Sequence, residues 1–137
     1  MKLVKAWEVK GVRIEAPCQR TIKTLMAPDL MDVKDMTLAQ AMIDPYSRTD
    51  IHTHDDRPEV MFFTSGRGIV HCNGEDIPVE PEVLCYIEPG DLHYVYNNGP
   101  ETLKFFVVFV PPITAEQNYS RALKMQAKEK EENVDIN

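Results

Sequence analysis

The sequence predicts an all-β sandwich or barrel closed by a C-terminal helix, and three observations predict it. Short runs rich in β-branched and aromatic residues recur at near-even spacing. Turn chemistry separates them, in Asp44-Pro45-Tyr46-Ser47, Asn73-Gly74, Pro89-Gly90 and Asn97-Asn98-Gly99-Pro100. From Thr114 to about Glu132 the chain then changes character and contains neither Gly nor Pro. A length of 137 residues is one domain's worth, enough to bury a core.

Residues 1 to about 15 read as one or two short strands, with Val4, Trp7, Val9 and Val12 on an imperfect alternation. Runs from Arg20 to Leu25 and from Met36 to Ile43 follow, with Ala27-Pro28-Asp29 as the loop between them. A segment from Thr49 to His54 and a polar turn, Asp55 to Pro58, lead into Glu59 to Phe63. After the bend Ser65 to Gly68, the run Ile69 to Cys72 meets Asn73-Gly74. That dipeptide predicts a type I′ hairpin, because both residues tolerate positive φ. Glu75 to Val79 is its return strand, and Val83 to Ile87, His93 to Tyr96 and Leu103 to Val110 complete the set. In LKFFVVFV both alternating faces are apolar apart from Lys104. One face is expected inside the barrel and the other against a second layer or a second subunit, which makes a homodimer the expected assembly.

In the tail, Thr114 and Gln117 stand at capping-box spacing, and Tyr119, Ala122, Leu123 and Gln126 or Ala127 form a narrow apolar stripe. The helix is expected to dock by its first turns while Lys128 to Asn137 frays. The resulting division is 1–35 as N-terminal strands packing on the barrel or on a partner subunit, 36–112 as the barrel, and 113–137 as helix and tail.

Charge and composition exclude several partners. A formal net charge of -7 without a compact Lys/Arg block is no footprint for nucleic acid. The N-terminus interleaves apolar residues with charges, unlike a signal peptide, and no stretch approaches a membrane span. A cytoplasmic protein is the expectation. Cys18, Cys72 and Cys85 are odd in number and widely spaced, and read as free thiols.

Four potential metal ligands fall in two short stretches: His52, His54 and Glu59 in IHTHDDRPE, and His93 in EPGDLH. Two residues apart on an extended segment, His52 and His54 project from one face. Three imidazoles and a carboxylate suit one divalent transition metal, Mn, Fe, Ni or Zn, and leave coordination positions for water or substrate. Around them, Arg48 and Arg57 are candidates to clamp a carboxylate or phosphate, and Tyr46 is a candidate for acid–base work. Tyr94 and Tyr96 alternate with His93 and should face outward, with Val95 and Asn97 inward. His71 precedes the Asn-Gly turn and is expected to stand apart from the cluster.

Written with spacings, the stretches are H-x-H-x(4)-E-x(6)-G, which is His52, His54, Glu59 and Gly66, and P-G-x(2)-H-x(3)-N, which is Pro89, Gly90, His93 and Asn97. These resemble the two motifs of the cupin superfamily over roughly residues 44 to 110. The resemblance implies a double-stranded β-helix, or jelly-roll, barrel holding one metal through His52, His54, Glu59 and His93. Two positions depart from the pattern. Tyr46 stands where the first motif usually has a Gly, and Glu88 where the second usually has its Pro. The resemblance further implies a metal-dependent enzyme acting on a small oxygenated molecule, a sugar, sugar acid or keto acid, by isomerase, lyase or decarboxylase chemistry. An iron-dependent dioxygenase and a non-catalytic sensor or storage module are the alternatives.

Overall fold

The structure is a computed structural model and describes residues 1–132. Its strands are β1 (Val12–Ile14), β2 (Arg20–Met26), β3 (Thr37–Ile43), β4 (Glu59–Ser65), β5 (Gly68–Cys72), β6 (Glu75–Val79), β7 (Leu84–Ile87), β8 (His93–Tyr96) and β9 (Leu103–Phe109), followed by the helix α1 (Ala115–Glu132). One sheet runs β1-β2-β3-β9-β4-β7 and a second runs β6-β5-β8. All the pairings are antiparallel. This is the all-β jelly-roll barrel with a C-terminal helix that the sequence predicts.

Side-chain alternation builds the core. Along β9, Leu103, Phe105, Val107 and Phe109 are buried while Lys104, Phe106 and Val108 are half-buried on the outside. The inward set meets Ile43, Met61, Phe63 and Ile87 of the larger sheet and Val70, Val79 and Val95 of the smaller one in a single cluster. Phe63 and Phe105 pack at 4.9 Å between ring centroids. The outer face of the same sheet has no second layer among the described residues. Phe62, Leu84 and Tyr86 are 40%, 58% and 57% exposed there.

Turn chemistry sets the connections. Asn73 at φ 49 and Gly74 at φ 86 close the predicted two-residue hairpin between Cys72 and Glu75. Gly66 has φ +82, and a Cβ there would lie 2.5 Å from the Thr102 carbonyl oxygen. Tyr46, where the motif usually carries Gly, takes φ 58, so the backbone keeps the left-handed conformation without the glycine.

Three expectations change. The N-terminal stretch forms a 3-10 turn at Ala6–Glu8 and only the short β1, leaving Trp7 78% exposed. Its apolar residues do not alternate cleanly enough to offer a second strand one face. The segment from Thr49 to His54 is extended but is no regular strand: it is held by isolated bridges, Arg48 with Tyr96 and His52 with His93. Third, α1 does not loosen at Lys128. It remains helical through Glu132, with Glu129 4% exposed, because that carboxylate has buried partners in the barrel. Residues 133–137 of the expected fray lie outside the described residues.

Two devices start α1. The predicted capping box forms reciprocally: Gln117 N–H donates to Thr114 Oγ1 at 3.0 Å and Thr114 N–H to Gln117 Oε1 at 2.9 Å. The distant Asp29 carboxylate also accepts from Ala115 N–H at 2.7 Å and Glu116 N–H at 3.2 Å. Ala122 then packs against Ile14 and Ile22 of β1 and β2. No helix among the described residues is long and apolar enough to cross a membrane.

Candidate metal centre

His52 and His93 sit opposite each other across their bridge, exchanging backbone hydrogen bonds of 3.1 and 3.0 Å. Gly90 N–H donates to the His54 carbonyl at 3.0 Å, which ties the second motif's turn to the first motif. Glu59 opens β4 beside Phe109 of β9, whose ring lies 5.3 Å edge-on from the His54 imidazole. The outcome is a cluster in which one ligand atom from each of His52, His54, Glu59 and His93 lies within 4.8 Å of the others.

The residues fit a divalent ion. With metal–ligand bonds of roughly 2.1 Å, an octahedral ion separates its donors by about 3.0 Å when adjacent and about 4.2 Å when opposite. Glu59 Oε2 stands 3.1 Å from His93 Nε2 and Oε1 stands 3.7 Å from His54 Nε2. His52 Nε2 and His54 Nε2 are buried and have no hydrogen-bond partner among the described residues. The other ring nitrogens are committed: His52 Nδ1–H donates to the Asp50 carbonyl and His93 Nδ1–H to that of Asp91, each at 2.8 Å. Those bonds fix the tautomer and turn each Nε2 lone pair toward the cluster. His93 Nε2 and Glu59 Oε2, both then acceptors, need a shared proton or cation between them.

Protonation follows the same geometry. Burial alone pushes the Glu59 carboxyl up, but the imidazoles of His54, His93 and His52 around it outweigh this and hold it well below the usual carboxylate range. Burial lowers His52, which keeps its ring neutral and able to ligate. Burial opposes the charged form of His93 too, yet the adjoining Glu59 carboxylate raises it. Asp50, fully buried, is held low by His52 and by the charges of Arg121 and Arg20 despite its burial.

A cavity of about 50 Å³ opens on His52 and Glu59. Its walls are mostly apolar, from Ile22, Met61, Phe105 and Val107, and its polar groups include Arg20, Thr49, Asn118 and Arg121. Asn118 and Arg121 come from α1, so the helix forms one wall of the cavity. On the outer side a second recess reaches His54 between Arg57 and Arg121.

The structure brings the four predicted ligands together and places the other candidates elsewhere. Tyr46 is 64% exposed in its turn and lines neither space. Arg48 is buried against α1, where Nη1 donates to Glu129 Oε2 at 2.7 Å, the Thr49 carbonyl at 2.9 Å and Cys18 Sγ at 3.3 Å. Arg57 borders the outer recess, but its donors are occupied by Asp56 and by the carbonyls of Pro111 and Pro112 at 2.9 and 2.8 Å. Tyr94 points outward onto His71, stacked at 4.7 Å, and His71 itself pairs with Asp76. Asn97 is inward as expected, and its Nδ2 donates to the carbonyls of Ile43, Asp44 and Glu101. Sequence reasoning missed Asp50, Arg20 and Arg121. Asp50 stands two residues before His52 on the same face and was open to the same periodicity argument. Arg121 had no such signal, since it lies 71 residues from Asp50.

Comparison with known proteins agrees with this geometry. An "oxalate-binding protein" of Thermotoga maritima is 28% identical over 86 residues, which are 63% of this chain and 71% of that protein. A Thermotoga maritima crystal structure described as a predicted oxalate decarboxylase superposes with a TM-score of 0.73 at 25% identity, over 80% of this chain and 98% of that one. Ectoine synthase from P. lautus shares the fold, with a TM-score of 0.72 at 18% identity over 88% of this chain and 86% of its own. The family model for the cupin domain matches residues 40–109, a stretch that holds both motifs and all four clustered side chains, and the chain belongs to that family.

Proposed function

We propose that this cupin binds one divalent transition metal through His52, His54, Glu59 and His93 and uses it to act on a small carboxylic acid by decarboxylase or lyase chemistry. The observation that carries the reading is the convergence of these donors with two imidazole nitrogens left without partners. A bound divalent ion supplies Lewis acidity toward a carboxylate or carbonyl oxygen. The chain's own residues then select and hold the substrate. Apolar walls offer a sugar few partners for its hydroxyls, whereas the guanidinium groups of Arg20 and Arg121 at the cavity favour an acid. Cavity size points the same way, because about 50 Å³ holds only a few water-sized groups. The names of the Thermotoga maritima relatives, an oxalate-binding protein and a predicted oxalate decarboxylase, support a small acid.

Binding without turnover is the second reading, and the first of those names favours it. Among the described residues no tyrosine or lysine lines the cavity to serve as a proton donor. Two measurements test both. Elemental analysis of the purified protein is expected to find about one metal per chain, lost in His52→Ala and His93→Ala and kept in His71→Ala; full retention by the first two variants overturns the site. Incubation of the metal-loaded protein with oxalate, followed by carbon dioxide release, separates turnover from binding.

The expected homodimer belongs to the same proposal. Phe62, Leu84 and Tyr86 form an exposed apolar face beside the half-buried Phe106 and Val108, and a second copy meeting it face to face would complete the outer layer.

A further inference from the structure

We infer that Arg121, delivered by α1, receives the second anionic group of the ligand and makes this centre selective for dianionic over monoanionic small acids. The inference rests on the metal and small-acid reading above and deepens it.

Of the arginines near the cluster, Arg121 is the one whose guanidinium has a buried nitrogen, Nε, without a partner among the described residues. Arg57 and Arg48 are tied as described, and Arg20 gives Nη1 to the Cys18 carbonyl at 3.0 Å and Nη2 to Asp50 Oδ1 at 2.6 Å. Arg121 gives Nη1 to Asp50 Oδ2 at 3.1 Å, while its Nε is buried and has no partner among the described residues. A buried guanidinium N–H without an acceptor is costly, and an anion supplies one. The position suits that task, since Arg121 borders both the inner cavity with Glu59 and the outer recess with His54. Its guanidinium thus lies along both spaces that open on the clustered side chains. Asp50 also fixes the side chain in advance, because its Oδ2 is shared with His52 Nδ1 at 3.1 Å. Arg121 and the metal ligand are therefore set by one carboxylate, which holds their separation nearly constant.

Charge balance gives the selectivity. Glu59 and Asp50 bring two buried carboxylates to the cluster, and Arg20 and Arg121, both held on Asp50, bring two guanidinium groups. Protein charges around the cluster thus cancel, and the whole charge of a divalent ion is left for the ligand. A dianion neutralises it, whereas a monoanion leaves positive charge in a space of low dielectric. One carboxylate on the metal and one on Arg121 is the arrangement that satisfies both the ion and the orphaned Nε.

Oxalate and glycolate test this, because both present a two-oxygen chelate of similar size and they differ in charge. Calorimetric titration of the metal-loaded protein is expected to show oxalate bound at least tenfold more tightly than glycolate. In Arg121→Gln, oxalate affinity should fall by about 10- to 100-fold, as for loss of a charged hydrogen bond, and the preference for oxalate over glycolate should narrow correspondingly. Arg121→Lys, which keeps the charge without the fork, should recover part of the loss. A thermal melt matching the wild type shows each variant folded, and if Gln disturbs Asp50 the Lys variant carries the comparison. Unchanged oxalate preference in a folded, metal-loaded Arg121 variant overturns the inference alone. Absence of stoichiometric metal, or of any acid binding, in the wild type overturns the reading beneath it as well.

Discussion

Asp50 is fully buried yet ionised, because Arg20, Arg121 and the His52 imidazole all face its two oxygens. Asp50→Asn removes the charge that both guanidinium groups face and leaves Arg20, which is buried, with a poorer partner. Breaking such a network costs on the order of 3 kcal/mol, to be read as a lower urea midpoint with an unchanged m-value. Cys18 is governed by the same surroundings. Burial first, and then the Glu129 carboxylate 3.0 Å from its sulfur, push the thiol up to about 12. It should resist iodoacetamide in the native protein at neutral pH and alkylate on unfolding, as followed by mass spectrometry; rapid native labelling would contradict the buried assignment. The cluster of four side chains was legible in the sequence because His52 and His54 obey a period of two and because their spacing to Glu59 and His93 matches a known pattern. Arg48 and Arg57 misled because proximity in sequence to a ligand says nothing of which acceptors a long side chain will find. Both arginines are consumed by groups far along the chain, Glu129 and the Pro111 and Pro112 carbonyls.

At the level of elements, α1 shows what periodicity catches and what it misses. Its start was readable from Thr114 and Gln117, and its docking through Ala122 from the apolar stripe. The stripe nevertheless overstated Leu123, which is 44% exposed, and passed over Asn118 and Glu129, which are 4% exposed. Each polar residue has a partner that no hydrophobicity pattern records. Asn118 Nδ2 donates to Thr24 Oγ1 at 3.2 Å, and Glu129 Oε1 accepts from Ile51 N–H at 2.8 Å. Asp29 gives the helix a dependence on pH. Desolvation raises its carboxyl, but the N–H groups of Ala115 and Glu116 together outweigh this and leave it below the ordinary aspartate value. The stabilisation is therefore present in full above the unfolded-state pKa near 3.9 and is lost as the pH falls through the lower folded value. Asp29→Ala should cost about 1 kcal/mol at pH 7, and its melting curve should converge with that of the wild type in acid. A gap that persists below that range would mean the carboxylate is not what holds the helix start.

For the whole molecule, the alternation of β9 foretold two apolar faces, and the described chain covers only the inner one. Leu84→Glu places a charge in the exposed face of Phe62, Leu84 and Tyr86 without touching the core. By light scattering the wild type should appear at twice 15.7 kDa and the variant at 15.7 kDa. A monomeric wild type at micromolar concentration would sink the dimer. Within one chain, the contacts of α1 reach back to Asp50, Arg48 and the Ile51 amide, all immediately ahead of the first ligand. Chains are made from the N-terminus, so every ligand is synthesised before the helix that steadies them. A nascent barrel can gather its imidazoles early, but Arg48 and Asp50 find their last partners only after residue 129 has emerged. On the proposed reading, metal acquisition would be coupled to the order of synthesis, because the contacts that steady the His52 segment form only once α1 is complete.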